Sequence, residues 1–265
     1  VEVDKKMTRP EKIVDQPGLR VFYMPSQYFA DEPKADISLA FRNQHALDDA
    51  RHQVLFALTD YLASLSLDQL SYQASIGGIS FSTGPDNGLY VNANGFTQRL
   101  PQLLTSLVVG YSSFTPTEEQ LAQAKSWYRE QLAIADKGKA FELAIQPIKM
   151  LSRVPYTERS ERSKLLDTIT VQDVIAYRDS LLKESAVEIL AIGNMAPKQV
   201  SELAEALKNQ LGCIGTNWWT NEDVIVDKVQ LANLQRIGSS TDAALAAVYI
   251  PTGYDEIKSM AYSNL

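Results

Sequence analysis

The order of predicted strands and helices constrains the fold of this chain more than any other feature of its sequence. A strand, a turn-rich link, a second strand and a long helix are predicted in this order over residues 19–66. The same order returns after Gly212, and the second copy stops inside its helix at Leu265. The repeat predicts one complete α+β unit followed by the beginning of another, within a segment cut from a larger protein.

The remaining pattern predicts a mostly antiparallel sheet with helices packed on one face. Ile37, Leu39 and Phe41 alternate with more polar residues, as in a half-buried strand. Val54, Leu58 and their apolar neighbours recur at helical spacing. The predicted strands are 19–24, 37–41, 79–83, 89–94, 187–192, 224–229 and 244–250, and the predicted helices are 48–66, 67–75, 98–112, 116–135, 139–152, 171–183, 197–211 and one that begins at 254.

Local signals place the start of two of these helices. Thr170 is predicted to cap the helix that follows it. Thr115 is a second candidate cap, because Pro116 suits the first helical position and Glu118 completes a capping box. These signals predict helices that begin at 116 and 171.

The predicted elements divide the chain into three parts. Residues 1–18 are polar, contain Pro10 and Pro17, and are predicted to lead into the fold. Residues 19–212 form the complete unit, and residues 213–265 form the start of the second unit.

The composition argues against several functions and partners. Lysine plus arginine number 25 and aspartate plus glutamate 32, so the formal net charge is −7. Binding to nucleic acid through phosphates needs clustered basic side chains, so no nucleic-acid partner is expected. No run of about 20 apolar residues is present, so no membrane partner is expected either. The single cysteine, Cys213, cannot form a disulfide within the chain.

No metal site is predicted from the two histidines. A zinc site needs three or four converging side chains, and His45 and His52 are the only histidines. If both lay on one helix they would be two turns apart, about 10 Å along the axis, which is too far for one ion. No H-E-x-x-H or H-x-x-E-H pattern occurs.

A serine-hydrolase hypothesis rests on Ser80. Gly78-Ile79-Ser80 resembles the start of a G-x-S-x-G nucleophile elbow, but the pattern then fails and lies within a predicted strand. Such a serine needs a base held by a third group, and only His45 or His52 could supply it. Ser80 therefore remains an alternative without an identified base.

The other notable motifs have structural interpretations beside functional ones. Gly77-Gly78 suits a helix exit, and Asp86-Asn87-Gly88 suits a hairpin turn better than a calcium loop. Glu158–Lys164 alternates acid and base, as a solvated helix start does. Trp218 and Trp219 suit packing between two units, or a stacking surface.

Five longer runs of the sequence carry more information than any local motif. They are 67–81 (LDQLSYQASIGGISF), 91–95 (VNANG), 119–128 (EQLAQAKSWY), 190–195 (LAIGNM) and 242–254 (DAALAAVYIPTGY). These runs resemble the pitrilysin-like peptidases, the family of inverted-motif zinc metallopeptidases that includes insulin-degrading enzyme. The resemblance covers nearly the whole chain.

The resemblance implies a clamshell of four related α/β units whose two halves enclose a chamber. The family's zinc motif, H-x-x-E-H with a further Glu downstream, lies in the first unit, whereas this chain resembles the third unit and the opening of the fourth. The equivalent helix here, near Ala57-Leu58-Thr59-Asp60-Tyr61, contains no histidine. A substrate-contacting Arg and Tyr of the fourth unit are expected beyond Leu265. No catalytic, substrate-binding or metal residue is therefore assigned to this chain.

The expected function is that of a non-catalytic half of a zinc metalloendopeptidase, which forms a wall of the chamber and is inactive alone. The resemblance implies zinc in the parent protein and none in this segment. It also implies partnership with an N-terminal catalytic half of the same polypeptide, peptide or small-protein substrates, and a periplasmic location. The alternative is a naturally inactive peptidase-like scaffold or partner subunit.

Overall fold

A computed structural model describes residues 9–26, 31–137 and 157–218. The chain divides into two compact units, one formed by residues 1–132 and 157–220 and the other by 133–156 and 221–265. Nearly all described residues belong to the first unit. The helix predicted at 139–152 and the elements predicted after residue 223 lie outside the described residues, and the three-part division of the chain stays a prediction.

A six-stranded, mostly antiparallel sheet organises the first unit. Its strands follow the spatial order β1-β2-β6-β3-β5-β4, and among these described strands only the β2–β6 pair is parallel. The strands are β1 (Glu11–Gln16), β2 (Leu19–Met24), β3 (Lys34–Arg42), β4 (Ser80–Pro85), β5 (Gly88–Phe96) and β6 (Ala186–Gly193). The α+β fold predicted from the sequence is confirmed.

Strand β1 lies within the segment for which the sequence predicted no regular structure. It pairs with β2 through a hairpin in which Gly18 has φ +71°, a conformation that favours glycine. Most of its side chains are exposed and polar, because β1 is an edge strand with one neighbour. Edge strands are commonly charged, and this composition hid the strand from a periodicity argument.

In the described part of the chain, six helices pack mainly on one face of the sheet. They are α1 (Ala50–Ile76), α2 (Leu100–Ser113), α3 (Glu118–Asp136), α4 (Arg159–Leu165), α5 (Val171–Lys183) and α6 (Pro197–Leu211), with a 3₁₀ turn at Leu166–Thr168. Alternate side chains of the central strands, such as Ile37, Val91 and Ile189, are fully buried in one core with the helices. This alternation is the period expected of a sheet with one covered face.

Helix α1 is continuous over 27 residues, whereas the sequence predicted two helical pieces. Asp49 is its N-cap, and the carboxylate of Asp49 accepts a hydrogen bond from the backbone N–H of His52 at 2.7 Å. The helix ends at Gly77, and the turn after it places Gly78 at φ +70°. Of the two glycines, only Gly78 uses the conformational freedom that the sequence assigned to the pair.

The predicted helix starts had different outcomes. Thr170 and Asp173 form a complete capping box, which confirms that cap. The predicted Thr115–Glu118 box is wrong. Instead, Thr117 and Gln120 form the reciprocal bonds, with N···O distances of 2.9 and 3.2 Å, and the helix starts two residues later than expected.

Candidate functional site

The middle of α1 is the first candidate site, because it corresponds to the segment that carries the zinc motif in the family that the sequence resembles. Leu58 and Thr59 are fully buried in the core. Ala57, Asp60 and Tyr61 are partly buried on the same stretch of helix. This part of α1 therefore packs against its neighbours on most of its circumference.

Asp60 is the one ionisable carboxyl group in this stretch. Thr83 on β4 donates a hydrogen bond to its carboxylate at 2.7 Å. Burial raises the pKa of Asp60 above its ordinary value, and the Thr83 hydrogen bond opposes that shift only in part. Among the described residues, Asp60 thus has a single hydrogen-bond donor, and its environment disfavours the charged carboxylate.

Two aromatic groups complete the surroundings of this stretch. Tyr61 stacks on Trp127 of α3 with ring centroids 4.6 Å apart. The buried hydroxyl of Tyr111 has no hydrogen-bond partner among the described residues. Burial and the nearby Asp60 carboxylate both raise the pKa of Tyr111.

These side chains do not fit a catalytic zinc ion. Such a site needs three protein ligands, usually imidazoles and carboxylates, around one open position. At the motif positions the chain offers a methyl group (Ala57), a carboxyl group (Asp60) and a phenol stacked on an indole (Tyr61). No step of metal-assisted hydrolysis can be assigned to this part of α1.

Ser80 is not arranged as a nucleophile in the described structure. Its hydroxyl donates to the side-chain oxygen of Asn94 at 3.0 Å, across the β4–β5 pair. Both histidines instead hydrogen-bond to Asp48. The structure therefore does not pair Ser80 with the base that a hydrolase mechanism needs.

The second candidate site lies at the start of α1, where the structure brings both histidines to one carboxylate. His45 Nδ1 lies 2.8 Å from one oxygen of Asp48, and His52 Nδ1 lies 2.6 Å from the other. His45 precedes α1, so the two histidines do not lie on one helix and the distance of two helical turns does not separate them.

Asp49 extends this group of side chains. One atom each of Asp48, Asp49 and His52 lie within 4.8 Å of one another, and His52 Nδ1 is 3.5 Å from Asp49 Oδ2. Partial burial acts to raise the pKa of Asp48, but the hydrogen bonds from His45 and His52 outweigh it, so the net shift is downward. The start of α1 therefore favours negative charge, unlike its middle.

Trp218, Cys213 and the Asp86-Asn87 turn, which the sequence analysis noted, have roles in packing or chain reversal. The guanidinium of Arg20 lies 4.1 Å from the ring centroid of Trp218, whereas Trp219 lies outside the described residues. The Cys213 thiol is buried and bonds to the carbonyl of Leu182, and burial raises its pKa to about 11. Asp86-Asn87 forms the β4–β5 hairpin turn, with Asn87 at φ +50°.

The segment Glu158–Lys164 forms most of the short helix α4. Arg162 in this helix donates a hydrogen bond to the hydroxyl of Tyr128 at 3.3 Å, while no residue of α4 is fully buried.

Across the described ranges, no helix has both the length and the apolar character that a membrane crossing requires.

Comparisons with known proteins agree with the architecture. The family described as the middle or third domain of peptidase M16 matches residues 1–164. "Protease 3" of Shigella flexneri is 58% identical over 265 residues, which is 100% of this chain and 28% of that protein. The chain thus spans just over a quarter of the length of this curated relative.

Solved structures give the same result. The crystal structure of pitrilysin superposes with a TM-score of 0.91 at 58% identity, over 98% of this chain and 28% of that chain. A structure described as a peptidase M16 inactive domain from Pseudomonas fluorescens shares the fold alone, with a TM-score of 0.61 at 12% identity over 82% of this chain and 54% of its own. The chain belongs to the peptidase M16 family, in which it corresponds to the middle or third domain.

Proposed function

We propose that this chain is the non-catalytic part of a zinc metalloendopeptidase and forms a wall of the chamber that encloses peptides and small proteins. The observation that carries the proposal is the middle of α1. This chain is 58% identical to a protease, yet the middle of its helix α1 is packed into the core and contains no histidine. The chain keeps the fold of a peptidase unit and lacks its ligand set.

In such an enzyme, zinc held by another unit lowers the pKa of bound water and polarises the scissile carbonyl. The residues of this chain contribute structure. Its sheet is rigidly backed by helices through a single core, in which Ile37, Leu58 and Val91 are fully buried. A wall of this kind limits substrate size and excludes bulk water.

The proposed partners follow from the same role. The principal partner is the N-terminal catalytic half of the same polypeptide, and peptides or small unfolded proteins are the substrates. A periplasmic location is part of the proposal, and fractionation of the source cells, with the chain detected by antibody, tests it. Recovery in the cytoplasmic fraction would contradict that location.

The second candidate function is a naturally inactive scaffold or partner subunit. The same absence of histidine from the middle of α1 favours it, and the structural relative described as an inactive domain has the same fold. The two proposals differ only in whether a complete zinc unit accompanies this chain on one polypeptide.

Sequencing the coding DNA on both sides of the segment separates the two proposals. An upstream H-x-x-E-H with a later Glu, on the same reading frame, supports the enzyme. An upstream unit in which these ligands are replaced, or a start codon immediately before Val1, supports the scaffold. The zinc content of the corresponding full-length protein gives an independent readout, because a complete catalytic unit retains one ion and a scaffold retains none at that position.

A further inference from the structure

We propose that Asp48, Asp49 and His52 form a binding site for a divalent transition-metal ion such as Zn²⁺ at the start of α1. The site would belong to this chain's own residues and does not depend on the function proposed above. An imidazole with two carboxylates is a mixed N/O ligand set that suits first-row divalent ions. Asp48 precedes the N-cap Asp49, and His52 lies in the first turn of α1, so the three side chains meet at the N-terminal end of the helix.

The ligand atoms of Asp48, Asp49 and His52 all lie within 4.8 Å of one another, and the two His52 distances can be compared with those around a bound ion. Metal–ligand distances of about 2.0–2.2 Å in tetrahedral geometry place neighbouring ligand atoms about 3.4 Å apart. His52 Nδ1 and Asp49 Oδ2 are already 3.5 Å apart. His52 Nδ1 and Asp48 Oδ1 are at a hydrogen-bond distance of 2.6 Å and must separate by less than about 1 Å.

Neighbouring groups hold these ligands in place. The Oδ1 atom of Asp49 is fixed by capping the backbone N–H of His52, which leaves Oδ2 for the ion. The His52 ring stacks on Tyr177 at 5.8 Å, and the Tyr177 hydroxyl is itself anchored on the carbonyl of Ala46 at 2.6 Å. Supporting contacts of this kind orient metal ligands.

His45 has a supporting position in the proposed site. Its Nδ1 lies 2.8 Å from Asp48 Oδ2, the oxygen that faces away from His52. A hydrogen bond from an outer group to a ligating carboxylate fixes its orientation. His45 thus acts through Asp48 rather than on the ion.

The local charge also favours a cation. Asp48 and Asp49 together carry about two negative charges at neutral pH, whereas the end of a helix contributes about half a positive charge. Within the part of the chain that the structure describes, histidines are the only basic side chains paired with these aspartates. Arg51, the nearest arginine in sequence, pairs with Asp173. The negative charge is therefore left for an ion to neutralise.

Calorimetric titration of Zn²⁺ into the chelator-treated 265-residue chain tests the site. We expect saturable binding of one ion per chain. Asp49→Asn is the most informative variant, because asparagine still caps the helix but removes the anionic oxygen. Asp49→Asn and His52→Gln are each expected to weaken binding at least about tenfold, and His45→Gln by a smaller, several-fold factor.

Asp68→Asn is the matched control, because Asp68 is an exposed carboxylate on the same helix and is expected to leave Zn²⁺ binding unchanged. Thermal unfolding with and without Zn²⁺ confirms that each variant folds and gives a second readout, since an ion that binds the folded state raises Tm. Absence of saturable binding overturns the proposal. Equal affinity of wild type, Asp49→Asn and His52→Gln also overturns it, even if Zn²⁺ binds elsewhere.

Discussion

The start and the middle of α1 shift the pKa of a carboxyl group in opposite directions. At the start, two histidines hydrogen-bond to Asp48 and lower its pKa. In the middle, burial raises the pKa of Asp60, which has one hydroxyl donor. The middle of α1 is packed into the core, where Leu58 and Thr59 are buried, while Asp48 and two histidines meet at its start.

The largest expected effect tests the claim that the middle of α1 is core. Leu58 is fully buried, so Leu58→Ala is expected to lower the free energy of unfolding by about 3 kcal/mol through lost burial and a cavity. Leu65→Ala on the same helix is the control and is expected to cost less than about 1 kcal/mol, because Leu65 is 38% exposed. Urea denaturation measures both. Similar costs for the two variants would contradict the comparison.

A smaller effect concerns the cap at the start of α1. Asp49→Ala removes the acceptor for the His52 N–H and is expected to cost about 1 kcal/mol, whereas Asp49→Asn keeps an acceptor and is expected to be nearly neutral. Thr170→Ala removes a cap of the same kind from α5 and gives a reference value. Thermal unfolding compares the three variants. A full loss for Asp49→Asn would mean that charge, rather than capping, stabilises this end.

The buried hydroxyl near Asp60 gives an effect of opposite sign. Tyr111→Phe is expected to leave the chain equally stable or to stabilise it by up to about 1 kcal/mol, because the hydroxyl has no partner among the described residues. Differential scanning calorimetry measures the change. A loss of stability above about 1 kcal/mol would show that the hydroxyl is hydrogen-bonded in solution.

The pH dependence of Asp60→Asn is expected to differ in sign from that of Asp48→Asn. The pKa of Asp60 is higher in the folded state than its ordinary value of 3.8. The buried carboxylate therefore destabilises the fold increasingly as pH rises above 3.8, and this destabilisation is complete above the folded pKa. Asp60→Asn is therefore expected to be slightly more stable than wild type at neutral pH, by at most about 1 kcal/mol, and equal to it in acid.

The pKa of Asp48 is lower in the folded state than its ordinary value of 3.8. The Asp48 carboxylate therefore stabilises the fold fully above pH 3.8, and this stabilisation is lost as pH falls through the folded pKa. Asp48→Asn is expected to be less stable than wild type at neutral pH, by less than about 1 kcal/mol because the group is partly exposed. Urea midpoints between about pH 3 and pH 7 measure both variants. Parallel curves for the two variants would remove the contrast on which the comparison rests.

Much of the fold could be predicted because local signals and burial agree. Ile37, Leu39 and Phe41 alternate in sequence and are all buried in β3. Thr170 caps as expected, because its partner Asp173 lies in the one position that closes the box. The predicted cap at Thr115 is wrong, because Thr117 offers the same pattern with Gln120 two residues later. Sequence spacing alone cannot choose between these two capping boxes.

The candidate sites show where sequence reasoning stops. The lack of a zinc ligand set in the middle of α1 follows from residue identity, because Ala57 and Tyr61 cannot replace imidazoles. The meeting of both histidines at Asp48 could not be predicted from their spacing of seven residues, since His45 lies outside the helix. The Asp48–Asp49–His52 group had a sequence signal that was missed, a capping aspartate followed three residues later by a histidine.

The central claim is that this chain is a peptidase unit without chemistry of its own. Hydrolysis of a fluorogenic peptide by the purified chain, with added Zn²⁺ and with a chelator, tests it most directly. We expect no turnover above the buffer rate under either condition, including when Zn²⁺ occupies the proposed site at the start of α1. Chelator-sensitive cleavage that survives repurification and is lost in His52→Gln would contradict the claim.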